Sequence, residues 1–194
     1  MRRVCVFAGS SPGARPEYAA TARALAGECA ARGLGLVYGG GSLGLMGALA
    51  DAALEAGAEV IGVIPRPLAS KELAHGGLTE LRLVESMHER KATMASLVDG
   101  FVALPGGLGT FEETLEVLTW AQLGIHAKPV GVLNVARYYD GLLQWLSYAA
   151  GEGFVRREHL AMLLFADTPG ALLDRFETWT PPPGPRPWMT PTQT

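Results

Sequence analysis

Cysteine is nearly missing from this chain: Cys5 and Cys29 are the only two in 194 residues. They form no CxxC pair and share no ligand spacing with His75, His88, His126 or His159, so neither a disulfide framework nor a metal centre is expected. Both read as small apolar residues, Cys5 in a strand and Cys29 in a helix, of a protein from a reducing compartment. Lysine is scarce too, and none of Lys71, Lys91 and Lys128 has the context of a Schiff-base residue. Charged residues make up 18% of the chain, are scattered, and sum to a net charge of −3, which offers no basic footprint for nucleic acid. Long apolar runs are missing as well. The first run, residues 4–9, is too short for a signal-peptide core or a membrane span, so a cytoplasmic protein with no membrane partner is expected. The pattern GxxxxGK[ST] does not occur, and Gly41-Ser42-Leu43-Gly44 lacks the spacing of a G-x-S-x-G elbow. Neither a P-loop kinase nor a serine acyl-transfer enzyme is expected, and no cofactor is implied.

What is present is glycine, 25 residues of it, within a composition that is 48% hydrophobic. Short apolar runs at 4–8, 34–38, 59–64, 81–84, 101–104, 130–133 and 163–165 read as strands. Helical stretches alternate with them, at 16–32, 48–56, 87–98, 111–123, 139–150 and 171–179, and Ser86 is the expected cap of the third. Strands alternating with helices at this spacing imply a parallel sheet with right-handed crossovers. The fold expected is α/β, a single doubly wound, Rossmann-like parallel sheet flanked by helices, as one domain over residues 1–179. Residues 65–80 read as a loop or short helical turn over one edge. Residues 180–194 contain six prolines and read as an extended or disordered tail without chemistry.

Glycine loops at 9–13, 39–47 and 105–109 each follow a strand and precede a helix, which places them at the carboxyl edge of the sheet, where ligands bind in such folds. The pattern Gly39-x-Gly41-x-x-Gly44 formally matches a dinucleotide fingerprint. It follows the second strand, however, and the third strand ends without the acidic residue a ribose would need, which argues against NAD. The stretch Pro105-Gly106-Gly107-Leu108-Gly109-Thr110-Phe111-Glu112-Glu113 carries most information. Its glycines allow close approach to a ligand, the following helix start favours an anion such as phosphate, and Glu113 brings a carboxylate to the same mouth. Chemistry on a phosphorylated substrate follows. The alternative reading is a capping box, with Thr110 and Glu113 satisfying the first N–H groups of the helix.

The same stretch resembles the PGGxGTxxE signature of the LOG family, cytokinin riboside 5′-monophosphate phosphoribohydrolases often labelled lysine decarboxylases. Residues 39–47, 87–92 and 119–126 resemble further blocks of that family in the same order, and the similarity spans residues 4–170, departing at 68–80 and in the tail. The resemblance implies an N-glycosidase that releases the base and ribose 5-phosphate from an adenine-type nucleoside 5′-monophosphate. It implies Arg90 and Glu113 as the catalytic pair, and nucleotide contacts from Glu72, Lys91, Gly107, Leu108, Gly109, Thr110 and Thr119, with Gly40, Gly41 and Ser42 from the second loop. A carboxylate suits a reaction that builds positive charge on a sugar. A guanidinium keeps its proton at neutral pH, so Arg90 is assigned to electrostatic stabilisation and positioning. A less selective nucleoside-monophosphate nucleosidase and a carrier without turnover are the other readings. A homodimer is expected, through the apolar face of Met87, Met94, Leu97 and Val98 and that of Phe111, Leu115, Leu118 and Leu123, because the family's dimer uses the corresponding helices.

Overall fold

Each apolar run between turns becomes a strand of one sheet. The computed structural model describes residues 1–69 and 74–181. Its strands are β1 (Arg3–Phe7), β2 (Gly35–Tyr38), β3 (Val60–Pro65), β4 (Glu80–Val84), β5 (Gly100–Ala103), β6 (Val130–Leu133) and β7 (Leu163–Ala166). They lie in the order β4-β3-β2-β1-β5-β6-β7, and all neighbours are parallel. The helices are α1 (Pro16–Ala31), α2 (Gly44–Glu55), α3 (Arg66–Ala69), α4 (Met87–Ser96), α5 (Leu108–Gln122), α6 (Asp140–Gly151), α7 (Arg157–Leu160) and α8 (Pro169–Glu177). Central strands covered on both faces need apolar residues at every position, which is why they read as continuous runs. Side chains alternate across the sheet. Val4 and Val6 join α1, α2 and α8 in one core, whereas Cys5 and Phe7 join α4, α5 and α6 in the other.

The chain steps outward from β1 to β4, then returns to lay β5 against the other side of β1, and ligands of doubly wound sheets bind at that reversal. Here the reversal is tied together by main chain. The Gly9 N–H donates to the Pro105 carbonyl at 3.1 Å, while the Gly9 carbonyl accepts the Leu45 and Met46 N–H groups at 3.0 and 3.3 Å. The loops after β1, β2 and β5 are therefore one unit.

The expected strands and main helices are present, with Ser86 accepting the Glu89 N–H as the cap of α4. The differences concern glycine. Reading glycine as a breaker starts the second expected helix at 48 and the fourth at 111, whereas the corresponding α2 begins at Gly44 and α5 at Leu108. The glycines of α2 are there because packing leaves no room for more: a Cβ on Gly44 would run into the Ser10 main chain, and one on Gly47 into the Ser42 carbonyl. Residues 65–80 do include a helical turn, α3, and an antiparallel bridge between Ala74 and Gly41. Met94 and Val98 are only 1% and 2% exposed, so part of the face expected to pair with a second copy is already covered by the chain's own sheet. Of the proline-rich tail, residues 182–194 lie outside the described residues.

β3 and the loop after β2 also meet closely, since a Cβ on Gly62 would sit 2.8 Å from the Gly40 Cα. Overpacking of this kind costs about 1–3 kcal/mol. Gly62→Ala is accordingly expected to lower Tm by roughly 3–10 °C in a protein of this size, measured by thermal melting followed by circular dichroism. An unchanged Tm would mean that the loop yields freely.

Candidate functional site

At the reversal between β1 and β5 lies a cleft of about 300 Å³. Gly9, Ser10 and Gly39 belong to its lining, with Gly107, Leu108, Gly109 and Thr110 from the start of α5 on one side and Met46, Ile64, Leu68 and Met87 giving an apolar wall. Arg90 and Glu113 complete it. The first N–H groups of a helix have no partner within it. In α5 no side chain caps them, since its N-cap is Gly107, and Leu108 is left 86% exposed. This is an open, positively polarised helix end facing a cavity. The start of α2 differs, because the Gly9 carbonyl occupies two of its N–H groups.

Arg90 projects from α4 and Glu113 from α5, and they meet with Nη1 donating to Oε1 at 2.5 Å. Arg90 Nε also donates to the Val63 carbonyl at the end of β3, at 3.1 Å. Glu113 is 8% exposed. Burial pushes its carboxyl above the usual carboxylate range; the Arg90 guanidinium opposes this without cancelling it. The capping reading of Thr110 and Glu113 is overturned by register: Thr110 is the third residue of α5 and buried, Glu113 the sixth, and no side chain caps the helix. The guanidinium lies over Gly39, where a Cβ would take the place of its Nη2.

The remaining residues expected at the site divide into groups. Gly107, Leu108, Gly109 and Thr110 border the cleft beside the Arg90–Glu113 pair. Lys91 points the other way along α5, its Nζ donating to Glu112 at 2.6 Å and to Glu116 at 2.9 Å. Thr119 is exposed on the far turns of α5, its hydroxyl donating to the Leu115 carbonyl at 2.7 Å, away from Glu113 of the same chain. Gly40 and Gly41 are buried beneath residues 74–75, where the Gly40 carbonyl accepts the His75 N–H at 3.0 Å. Ser42 lies between them and α2 and is not part of the cleft lining. Glu72 is outside the described residues.

Sequence reasoning missed Gly39, Met46, Ile64, Leu68 and Met87, which border the cleft, and the Glu112–Glu116 pair that takes Lys91. Only the last had a local signal, two glutamates four apart on one helix face. A larger depression, about 910 Å³, opens among Gln122, His126, Lys128, Arg156, His159 and Trp179. It lies at the other end of α5, roughly 20 Å from the glycine loop at 1.5 Å per helical residue. Its His126 holds the Val117 carbonyl through one ring nitrogen and the Lys128 N–H through the other, and burial pushes it down to about 4. Both nitrogens are engaged in structure.

A family model described as "Possible lysine decarboxylase" matches residues 46–176. The chain is 53% identical over 180 residues to a rice protein named probable cytokinin riboside 5′-monophosphate phosphoribohydrolase LOGL9, covering 93% of this chain and 79% of that one. It is 48% identical over 180 residues to cytokinin riboside 5′-monophosphate phosphoribohydrolase LOG3 of Arabidopsis thaliana, covering 93% and 84%. Among solved structures it resembles the molybdenum cofactor carrier protein of Chlamydomonas reinhardtii, with a TM-score of 0.70 and 20% identity over 92% of this chain and 99% of that one. At that identity the likeness is one of fold.

Gly39→Ala tests how the pair is held. The clash falls on the end of a flexible side chain, so the variant is expected to fold, with Arg90 displaced from Glu113 and Tm lowered because a buried ion pair is broken. A crystal structure of the variant with the Nη1–Oε1 contact intact would overturn this account of the packing.

Proposed function

The chain belongs to the family of cytokinin riboside 5′-monophosphate phosphoribohydrolases, and from that premise we propose that its cleft hydrolyses the N-glycosidic bond of adenine-type nucleoside 5′-monophosphates, releasing free base and ribose 5-phosphate. The observation that carries the proposal is the buried Arg90–Glu113 pair at 2.5 Å, set beside an uncapped helix start. The 5′-phosphate rests on the N–H groups of Gly107, Leu108, Gly109 and Thr110, where helix polarity favours an anion. The base lies toward Met46, Ile64, Leu68 and Met87, whose apolar surface suits a flat ring and a prenyl substituent on it. Glu113 faces the sugar. As the bond from C1′ to the base nitrogen breaks, its electrons leave with the base, positive charge grows on the ribose, and an ionised Glu113 stabilises that charge or takes the proton of the attacking water. Arg90 supplies no proton. It holds Glu113 ionised and oriented, since a buried carboxylate without a partner would protonate.

Lys91 donates to Glu112 and Glu116 of α5, so its part in this proposal is to hold α4 against α5. Thr119, exposed on the far turns of the same helix, would reach a nucleotide only in a homodimer, and that assembly belongs to the proposal. So does a cytoplasmic location, in keeping with two buried and unpaired cysteines. A broader nucleoside-monophosphate nucleosidase uses the same cleft, and the base preference separates the two.

Three outcomes are expected. Chromatography after incubation with AMP, N6-isopentenyl AMP, CMP and adenosine should show base release from the adenine nucleotides and little from adenosine, because binding energy from the phosphate positions the scissile bond. Equal kcat/KM for adenosine and AMP would refute the phosphate loop. Glu113→Gln should lose ~10²-fold or more in turnover, the scale of lost acid–base assistance. The acid limb of kcat/KM in the wild type should lie above the ~4.3 of an ordinary glutamate, because activity is lost once the burial-raised carboxyl of Glu113 protonates. A limb at or below that value would show that another group governs it.

A further inference from the structure

Two consecutive non-glycine residues after β6, Ala136 and Arg137, have φ of 49° and 65°, a left-handed conformation that side chains rarely adopt. The turn is held there by its neighbours. Asn134 Oδ1 accepts the Tyr139 N–H at 2.7 Å, and Asn134 Nδ2 and Arg137 Nε donate to the two oxygens of Asp140 at 2.8 and 2.6 Å. Strain of this kind persists where the surroundings over-determine it, and it aims side chains. Here it aims two adjacent tyrosines at the loop after β5. The Tyr139 hydroxyl donates to the Leu104 carbonyl at 2.7 Å, and that of Tyr138 to the Gly106 carbonyl at 2.5 Å. Between these two lies the Pro105 carbonyl, which accepts from Gly9. Three successive carbonyls are thus each bound to a donor outside their own loop.

A peptide group is planar and trans, so its carbonyl and the next N–H point in opposite directions. Fixing the Gly106 carbonyl therefore fixes the Gly107 N–H, and Gly107 borders the cleft. Nothing lies within 4 Å of where a Gly107 side chain would be, and glycine rotates freely about its backbone bonds. The Gly107 carbonyl is held by the Phe111 N–H at 3.1 Å, and the Tyr138 hydroxyl on the Gly106 carbonyl is the side-chain contact that fixes the peptide on the other side. The Tyr138 ring is itself fixed, stacked on Phe111 at 6.2 Å between centroids and edge-on to Tyr18 at 5.8 Å.

We propose that Tyr138 is a positioning residue: its hydroxyl, aimed by the strained turn after β6, sets the Gly106–Gly107 peptide so that the Gly107 N–H points at the phosphate of the substrate. This rests on the reading of the glycine loop as the phosphate site. Tyr138→Phe removes the hydroxyl and keeps the stacked ring.

The test uses ¹⁵N-labelled protein titrated with inorganic phosphate, following the amides of Gly107, Gly109 and Thr110, together with steady-state kinetics on AMP. For Tyr138→Phe a Tm near wild type is expected, with phosphate Kd and KM for AMP each raised ~10-fold, the scale of one lost positioning contact, and with kcat changed far less. A Tyr138→Phe protein that binds phosphate as tightly as wild type overturns the role of Tyr138 and leaves the phosphate loop standing. A lowered Tm with unchanged Kd assigns the hydroxyl to stability alone and also overturns the proposal. Wild-type amides that do not respond to phosphate overturn the loop reading, and the proposal with it.

Discussion

A carboxylate and a guanidinium taken out of water together constrain everything around them. Desolvating both ions is expensive, and the contact between them offsets that cost only if geometry is tight and the remaining hydrogen-bonding groups are satisfied. Around Arg90 and Glu113 those conditions are met by parts far apart in sequence. The Val63 carbonyl takes the Nε of Arg90, Gly39 leaves room for the guanidinium, and the first turns of α5 bury Glu113. A second ionic contact runs alongside. Lys91 follows Arg90 on α4, Glu112 precedes Glu113 on α5, and the outer pair fixes the spacing at which the inner one works. The cost of keeping the two charges buried is thus spread over β3, the loop after β2 and the helices α4 and α5.

How much of this was readable beforehand depended on the range of the interaction. The sheet was legible because a parallel strand covered on both faces leaves a continuous apolar run, and helices leave periodicity between glycine turns. The stretch ending at Glu113 was legible because a glycine loop entering a helix has a local mechanism for holding an anion. Three things were not. The starts of α2 and α5 were misplaced because local propensity counts glycine against a helix, whereas at α2 crowding against Ser10 and the Ser42 carbonyl demands it and at α5 Gly107 and Gly109 stand in open space at the cleft. Read locally, Thr110 and Glu113, three residues apart, also fit a capping box, and Arg90, 23 residues away, was paired with Glu113 only through the family resemblance. The apolar wall of the cleft combines Met46, Ile64, Leu68 and Met87 from four elements, and no window on the chain brings them together.

The carbonyl of Gly9 accepts two N–H groups from the start of α2, so of the two glycine-led helices at the cleft only α5 keeps its end open. Gly44 and Gly47 are therefore fixed by contact with other main chain, as firmly as ligand contact would fix Gly107. A saturation mutagenesis map of this protein would show equal intolerance at all three positions for unlike reasons. Ranking residues by such intolerance would enlarge the apparent nucleotide site by positions that only pack against main chain, and only a measurement that separates affinity from abundance would shrink it again.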